Sequence, residues 1–115
     1  MSDTIAYKIL TGEQMAALLQ NGMFTGAPID LADGYIHLST ATQVSETVDK
    51  HFAGQTDLWI AAVDLAALGG AVRWEPSRGG ALFPHIYAPL PLSAVPAHGP
   101  VMRGDAGGVI LPIEG

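Results

Sequence analysis

Cysteine is absent from the 115-residue sequence. Its absence excludes disulfide bonds, thiolate catalysis and cysteine-ligated zinc. Basic residues are few, since five Lys and Arg stand against eleven Asp and Glu and give a net charge of −6. A general nucleic-acid binder needs a basic face that displaces counterions, so this charge does not suit one. Backbone N–H groups and one or two arginines could still hold an anionic ligand locally.

Long apolar runs are also missing, and this bears on membranes and export. No window approaches the roughly 20 apolar residues that span a bilayer. Residues 1–4 lack a basic start and no apolar run follows them, so the pattern of a signal peptide is not met. We therefore expect a cytoplasmic protein that does not bind membranes.

Apolar residues make up 49% of the sequence and charged residues only 14%. This combination argues against disorder, which needs low hydrophobicity and high charge. The length suits one domain over residues 1–115, with a core at about 5–96. In the segment 97–115, residues 109–111 could form a last strand or a docked tail. Fourteen Gly and eight Pro predict frequent turns and few long helices.

The first third of the chain predicts a strand, a helix and a loop. Residues 5–10 alternate like a strand. Thr11 and Gln14 form a capping-box pattern, which starts a helix that Gly22 ends. Residues 23–34 carry Gly, Pro and Asp-Gly signals, so we interpret them as an irregular loop.

The remaining segments complete an α+β pattern. Thr40 and Gln43 repeat the capping-box pattern and predict a second main helix directly after a strand. Further elements follow in the order central strand 58–63, short helical turn 65–68 capped by Asp64, strand 72–76, and a short strand around 85–87. We expect one compact domain with a mixed or antiparallel central sheet and two main helices.

The stretch Gly34–Thr40 is the strongest local signal for function. It predicts a short buried strand that carries His37 at its carboxyl end, beside a helix N-terminus where polar groups and backbone N–H donors gather. His37 could equally be a hydrogen-bonded core residue. We interpret Asp30, in the preceding loop, as a turn residue first and a site residue second.

A few polar residues lie in apolar surroundings and are the candidate site residues: His37, Ser39, Thr40, Arg73, Glu75, Arg78, His85 and Tyr87. His37, Glu75 and His85 come from separate strand-like segments, so they could meet in one cleft. Two His and a Glu are a legitimate ligand set for zinc or iron, but no H-x-H or H-E-x-x-H spacing occurs, and we predict no metal. The Arg78-Gly79-Gly80 loop could hold a phosphate or be a plain turn.

Several motifs occur in a characteristic order: D-G-Y-I-H-L-S-T, then W-E-P-S-R-G-G, then F-P-H-I-Y-A-P-L-P. In this the chain resembles DUF952, a family of small bacterial domains, over about residues 7–92. That family is itself remotely similar to ADP-ribosyltransferase-like domains.

The resemblance implies a nucleotide site with NAD as the substrate. It implies catalytic roles for His37, Glu75 and His85. It implies contacts with the nucleotide for Ser39, Thr40, Arg73, Arg78 and Tyr87. One departure is the order of the motifs, because Glu75 precedes His85 whereas the usual glutamate comes last.

Three hypotheses for function remain open. The first is binding, with cleavage or glycosyl transfer, of NAD or an ADP-ribose-like nucleotide. The second is a non-catalytic module that binds a small anionic metabolite or a protein partner. The third holds that His37 and His85 are structural residues satisfied in the core.

Overall fold

The computed structural model describes residues 4–77 and 80–113. Within these ranges it has eight strands and four α-helices, and 3₁₀ turns lie at Gly69–Ala71 and Leu92–Ala94. In chain order the elements are β1 Ile5–Thr11, α1 Gly12–Asn21, β2 Met23–Phe24, α2 Pro28–Asp33, β3 Ile36–His37, α3 Val44–His51, β4 Leu58–Asp64, α4 Leu65–Leu68, β5 Val72–Pro76, β6 Leu82–Ile86, β7 Leu90–Pro91 and β8 Ala97–Pro100. The α+β class is as predicted.

The strands form three antiparallel sheets, in the orders β1-β4-β8, β2-β7 and β3-β6-β5. The prediction of one central sheet was therefore wrong. Three of the strands, β2, β3 and β7, are only two residues long. An isolated bridge between Tyr7 and Ser39 links the first and third sheets, with N–H···O distances of 2.8 and 2.9 Å.

The predicted capping of α1 is confirmed. The Gln14 amide donates to Thr11 Oγ1 at 3.2 Å, and the Thr11 amide donates to Gln14 Oε1 at 3.0 Å. Gly22 ends the helix with φ 72°, a left-handed conformation that favours glycine.

The second main helix, α3, begins at Val44 rather than directly after Thr40. Only half of the predicted capping box forms, since the Thr40 amide donates to Gln43 Oε1 at 3.0 Å while Thr40 Oγ1 lies 3.3 Å from Thr42 Oγ1. A turn over residues 41–43 therefore precedes the helix.

The prediction of an irregular loop over residues 23–34 was wrong, and it missed a short helix beside the two predicted main helices, α1 and α3. β2 pairs with β7, and α2 occupies Pro28–Asp33. The helix has Pro at its first turn, and the Ala27 amide donates to the Asp30 carboxylate at 2.8 Å. Six residues are too few to show a helical period, so the sequence pattern shows only the turn signals at its ends.

The core lies on both faces of the β1–β4 pair. Alternate side chains contribute to two clusters, one containing Ala6, Leu10 and Val63 and the other Tyr7 and Ile60. Burial on both faces explains the continuous apolar run that predicted β4 as a central strand. No helix in the described part of the chain is long and apolar enough to cross a membrane.

The sequence left open whether the segment from residue 97 onward forms a strand or a docked tail. In the described residues, this segment packs on the second cluster. β8 is an edge strand paired with β4. Val109 forms an isolated bridge with Arg103, and Val109 and Leu111 pack against buried side chains. The carbonyl of Ile113 accepts a hydrogen bond from the Tyr7 hydroxyl.

Candidate functional site

The β3-β6-β5 sheet brings five of the predicted site residues together. His37 pairs with His85 across β3 and β6, and Arg73 pairs with His85 across β5 and β6. Because strand side chains alternate, Glu75 lies on the same face as Arg73, and Tyr87 on the same face as His85. The chain therefore places these side chains around one centre, although they come from three separate segments.

Glu75, His85 and Tyr87 form one hydrogen-bonded group. Glu75 Oε1 lies 2.8 Å from His85 Nδ1 and accepts a hydrogen bond from the Tyr87 hydroxyl at 2.7 Å. The hydrogen bonds from His85 and from Tyr87 lower the pKa of Glu75, since they favour its charged form. The same carboxylate raises the pKa of Tyr87. Arg73 lies beside this group, with its Cζ 5.1 Å from the centre of the Tyr87 ring.

Tyr35 was not among the predicted site residues, yet it lies at the centre of the aromatic cluster. Its ring stacks on that of His85, with centroids 4.2 Å apart and an interplanar angle of 26°. The His37 and Tyr87 rings are 4.7 and 5.1 Å away. Desolvation raises the pKa of Tyr35, and the nearby carboxylates of the site add to the shift. Strand alternation, which puts positions 35 and 37 on one side, was the signal that could have identified it.

Asp30, which the sequence suggested as a turn residue, is instead a buried carboxylate that joins three segments. Its oxygens accept hydrogen bonds from Lys8 Nζ at 2.9 Å, from His37 Nδ1 at 2.7 Å, and from the amides of Ala27 and His37 at 2.8 and 3.1 Å. Only 1% of its side chain is exposed. The sequence around Asp30 shows only turn signals. It does not reveal this role, because the partner Lys8 is remote in the chain.

Burial and pairing act in opposite directions on these two charges. Burial alone would raise the pKa of Asp30, but the His37 hydrogen bond, the Lys8 charge and the Ala27 amide lower that pKa to about 2. Burial lowers the pKa of Lys8, and the charge of Asp30 partly offsets that effect. A buried carboxylate that stays ionised is a fixed acceptor, so Asp30 can hold His37 in one orientation.

His37 contacts a carboxylate at each ring nitrogen. Nδ1 lies 2.7 Å from Asp30, and Nε2 lies 2.9 Å from Asp33 Oδ2. The two partners differ in exposure, because the Asp33 side chain is 43% exposed and that of Asp30 is not. The Asp33 contact is therefore the one that a ligand could displace.

A cavity of about 450 Å³ is lined by residues of the third sheet, β1, α2 and α3. The lining residues that matter here are Lys8, Ile9, His37, Ser39, Phe83 and His85. His85 is 2% exposed, and its Nε2 has no hydrogen-bond partner among the residues that the structure describes. A second cavity, of about 380 Å³, lies at the end of α3 and contains none of the predicted site residues.

The remaining predicted residues stand apart from the central group. Ser39 is buried at the edge of the cavity and shares a 2.7 Å hydrogen bond with Thr47. Thr40 is buried beside Thr42, away from the His37–His85 pair. Arg78 lies outside the described residues. Among residues 4–77 and 80–113, no three His, Asp or Glu side chains converge to hold a metal ion.

Comparison with known proteins places the chain in a family. A family model described as a protein of unknown function, DUF952, matches residues 9–98. The chain therefore belongs to the DUF952 family, which confirms the resemblance seen in its motifs.

The fold is shared with a solved bacterial protein. The crystal structure of protein CC0527 from Caulobacter crescentus is 44% identical, covers 94% of this chain and 95% of that one, and has a TM-score of 0.84. A solution NMR structure of CC0527 is also 44% identical, covers 91% and 90% of the two chains, and has a TM-score of 0.78. No curated protein matches the sequence.

Proposed function

We propose that the cleft around His37 and His85 binds NAD or a related ADP-ribose-containing nucleotide and acts on a glycosidic bond of its ribose. The observation that carries this proposal is the meeting of two histidines, two tyrosines and an arginine on one face of a small sheet. Such a face offers flat rings, ribose hydrogen bonds and a phosphate contact together. The remote similarity of the DUF952 family to ADP-ribosyltransferase-like domains supports the same class of ligand.

Each group has a chemical role in it. Tyr35 and Tyr87 offer aromatic surface to a flat base or nicotinamide ring. Arg73 can contact a phosphate through two parallel N–H groups. His37, oriented by Asp30, can hydrogen-bond a ribose hydroxyl. Glycosidic cleavage develops positive charge on the ribose, which the Glu75 carboxylate can stabilise.

One observation favours a non-catalytic alternative. The Glu75 oxygen that would meet a ribosyl cation already accepts hydrogen bonds from His85 and Tyr87. A site arranged in this way could hold a small anionic metabolite without turnover. The two functions are separated by whether bound NAD releases nicotinamide.

Calorimetric titration with NAD and with ADP-ribose is the decisive experiment. We expect saturable binding to the wild-type protein and its loss in His37→Ala. His98→Ala is the matched control, because His98 is exposed on the edge strand β8 and lies outside the site. Failure of both ligands to bind at millimolar concentration would refute the nucleotide proposal. Binding without nicotinamide release would favour the non-catalytic module.

A further inference from the structure

We propose that His37 and His85 form a pair in which His37 is a hydrogen-bond donor and His85 is the proton acceptor, so that His85 Nε2 takes the proton of a hydroxyl group bound in the cavity. The hydroxyl belongs to water or to an alcohol that acts as the acceptor in the reaction. This proposal rests on the proposed function, which identifies the carbon that the hydroxyl attacks as the anomeric carbon of the ribose. It adds the class of the second reactant and gives the two histidines different hydrogen-bonding roles.

The hydrogen bonds of His37 define it as the donor. Both of its ring nitrogens lie within 2.9 Å of a carboxylate oxygen, at Asp30 and Asp33. An ionised carboxylate only accepts hydrogen bonds, so both contacts are satisfied only when each nitrogen carries a hydrogen. When a ligand displaces the exposed Asp33 side chain, the Nε2–H of His37 is available to a ligand oxygen.

The hydrogen bonds of His85 define it as the acceptor. Its Nδ1 faces the Glu75 carboxylate at 2.8 Å, so the hydrogen lies on that nitrogen. Its Nε2 is buried and has no partner within the described residues. The neutral ring with this tautomer carries a lone pair on Nε2.

Sheet order gives the direction of that lone pair. β6 lies between β5, which carries Glu75, and β3, which carries His37. Because Nδ1 points to the β5 side, Nε2, on the other side of the imidazole ring, points to the β3 side. His85 lines the cavity together with residues 37–39 on the β3 side, and Ser77, directly after β5, is a further lining residue. The acceptor nitrogen therefore points toward the part of the cavity lining that residues 37–39 form.

The step balances without a further co-reactant. The hydroxyl oxygen forms a bond to the anomeric carbon of the ribose, and its proton moves to His85 Nε2. The bond from that carbon to the nicotinamide nitrogen breaks, and its electron pair leaves with nicotinamide, which becomes neutral. Glu75 stabilises the positive charge that forms on His85, and the proton then returns to solvent.

Two carboxylates orient the histidines; Asp30 is a positioning residue only, whereas Glu75 also has the role proposed for it at the ribose. Asp30 orients His37, and Glu75 orients His85. The charged and titratable groups near the pair include Asp30, Asp33, Lys8, Tyr35, Tyr87, Glu75 and Arg73, and His51 of α3 lines the same cavity. A direct reading of each nitrogen is therefore a sharper test than a pH–rate profile, to which all of these groups could contribute.

Long-range proton–nitrogen NMR of protein labelled with ¹⁵N-histidine at pH 7 tests the pair without any ligand. We expect His85 to carry its hydrogen on Nδ1 and none on Nε2, and His37 to carry a hydrogen on Nδ1, which faces Asp30, with peaks assigned from His37→Gln and His85→Gln. Glu75→Ala should mix the two tautomers of His85. Trp74→Ala, on the opposite face of the same strand, should not. A hydrogen on His85 Nε2 in place of Nδ1, or the absence of a hydrogen from His37 Nδ1, would overturn the proposal.

Turnover of NAD tests the step itself. We expect His85→Gln to lower kcat for nicotinamide release by about 10²–10⁴-fold, the usual contribution of a general base, with KM changed by only a few-fold. Turnover at the wild-type rate in His85→Gln would overturn the pair. If NAD does not bind but the NMR spectra are as expected, the nucleotide function is refuted. The spectra would still support the assignment of the histidine pair.

Discussion

His37 and His85 lie directly opposite each other in the antiparallel pairing of β3 with β6, and their ring centroids are 5.3 Å apart. A different carboxylate holds each ring, Asp30 for His37 and Glu75 for His85. The sheet supplies the spacing and the carboxylates supply the orientation, so neither histidine depends on a mobile loop for its position.

Loss of the Asp30 carboxylate should strongly destabilise the fold. Asp30→Ala leaves Lys8 buried without its ionic partner, and breaking a buried pair costs about 3–5 kcal/mol. Urea unfolding measures this cost. The control is Asp33→Ala, whose exposed ion pair contributes about 0–1 kcal/mol. Equal midpoints for the two variants would contradict the central role of Asp30.

The stability of the protein should fall in acid because of the same residue. The pKa of Asp30 is about 2 in the folded protein, below the ordinary value of 3.8. Its contribution of about 2 kcal/mol is complete above the unfolded pKa and is lost as the pH falls from about 4 through about 2. Unfolding free energies measured across this range should decline, and in Asp30→Asn the decline should be shallower. An unchanged slope in that variant would locate the acid sensitivity elsewhere.

Removal of the Tyr87 hydroxyl should change the pKa of Glu75. Tyr87→Phe deletes one of the two hydrogen bonds that favour the charged carboxylate, so the pKa of Glu75 should rise toward its ordinary value. A carbon-detected NMR titration of the glutamate carboxyls measures that pKa. Glu13, on α1 and away from the site, provides the internal control. No upward shift at Glu75 would mean that the Tyr87 hydrogen bond does not lower its pKa.

The cap of the first helix offers a test that is independent of the site. Thr11→Ala removes the hydroxyl that accepts from the Gln14 amide, and the loss of such a cap costs about 0.5–2 kcal/mol. Thermal or urea unfolding measures it. Thr11→Ser, which keeps the hydroxyl, should retain most of the stability. A Ser variant as unstable as the Ala variant would assign the effect to the lost methyl group.

Local patterns in the sequence predict the parts of the fold that depend on neighbours in the chain. The apolar run of residues 58–63 predicts β4, and the Thr11–Gln14 pair predicts the start of α1. Alternation correctly places His85 and Tyr87 on one face, because the period of two is a property of a single strand.

Contacts between distant segments explain what the sequence does not predict. The division into three sheets depends on which short strands meet, and nothing local in residues 36–37 or 90–91 specifies a partner. Asp30 has the sequence signature of a turn residue, and its importance comes from Lys8, which lies 22 positions earlier. Tyr35 is a site residue only because β6 brings the His85 ring beneath it.

The segment from Gly26 to Gly34 acts as a fixed-length spacer between two sheets. It carries the carboxylate that contacts Lys8 of the first sheet and His37 of the third. Adding or removing one residue there would move Asp30 away from both sheets at once. We therefore expect insertions and deletions to be tolerated in the turn between Arg103 and Val109. In the segment from Gly26 to Gly34, we expect related proteins that retain the two histidines to have neither.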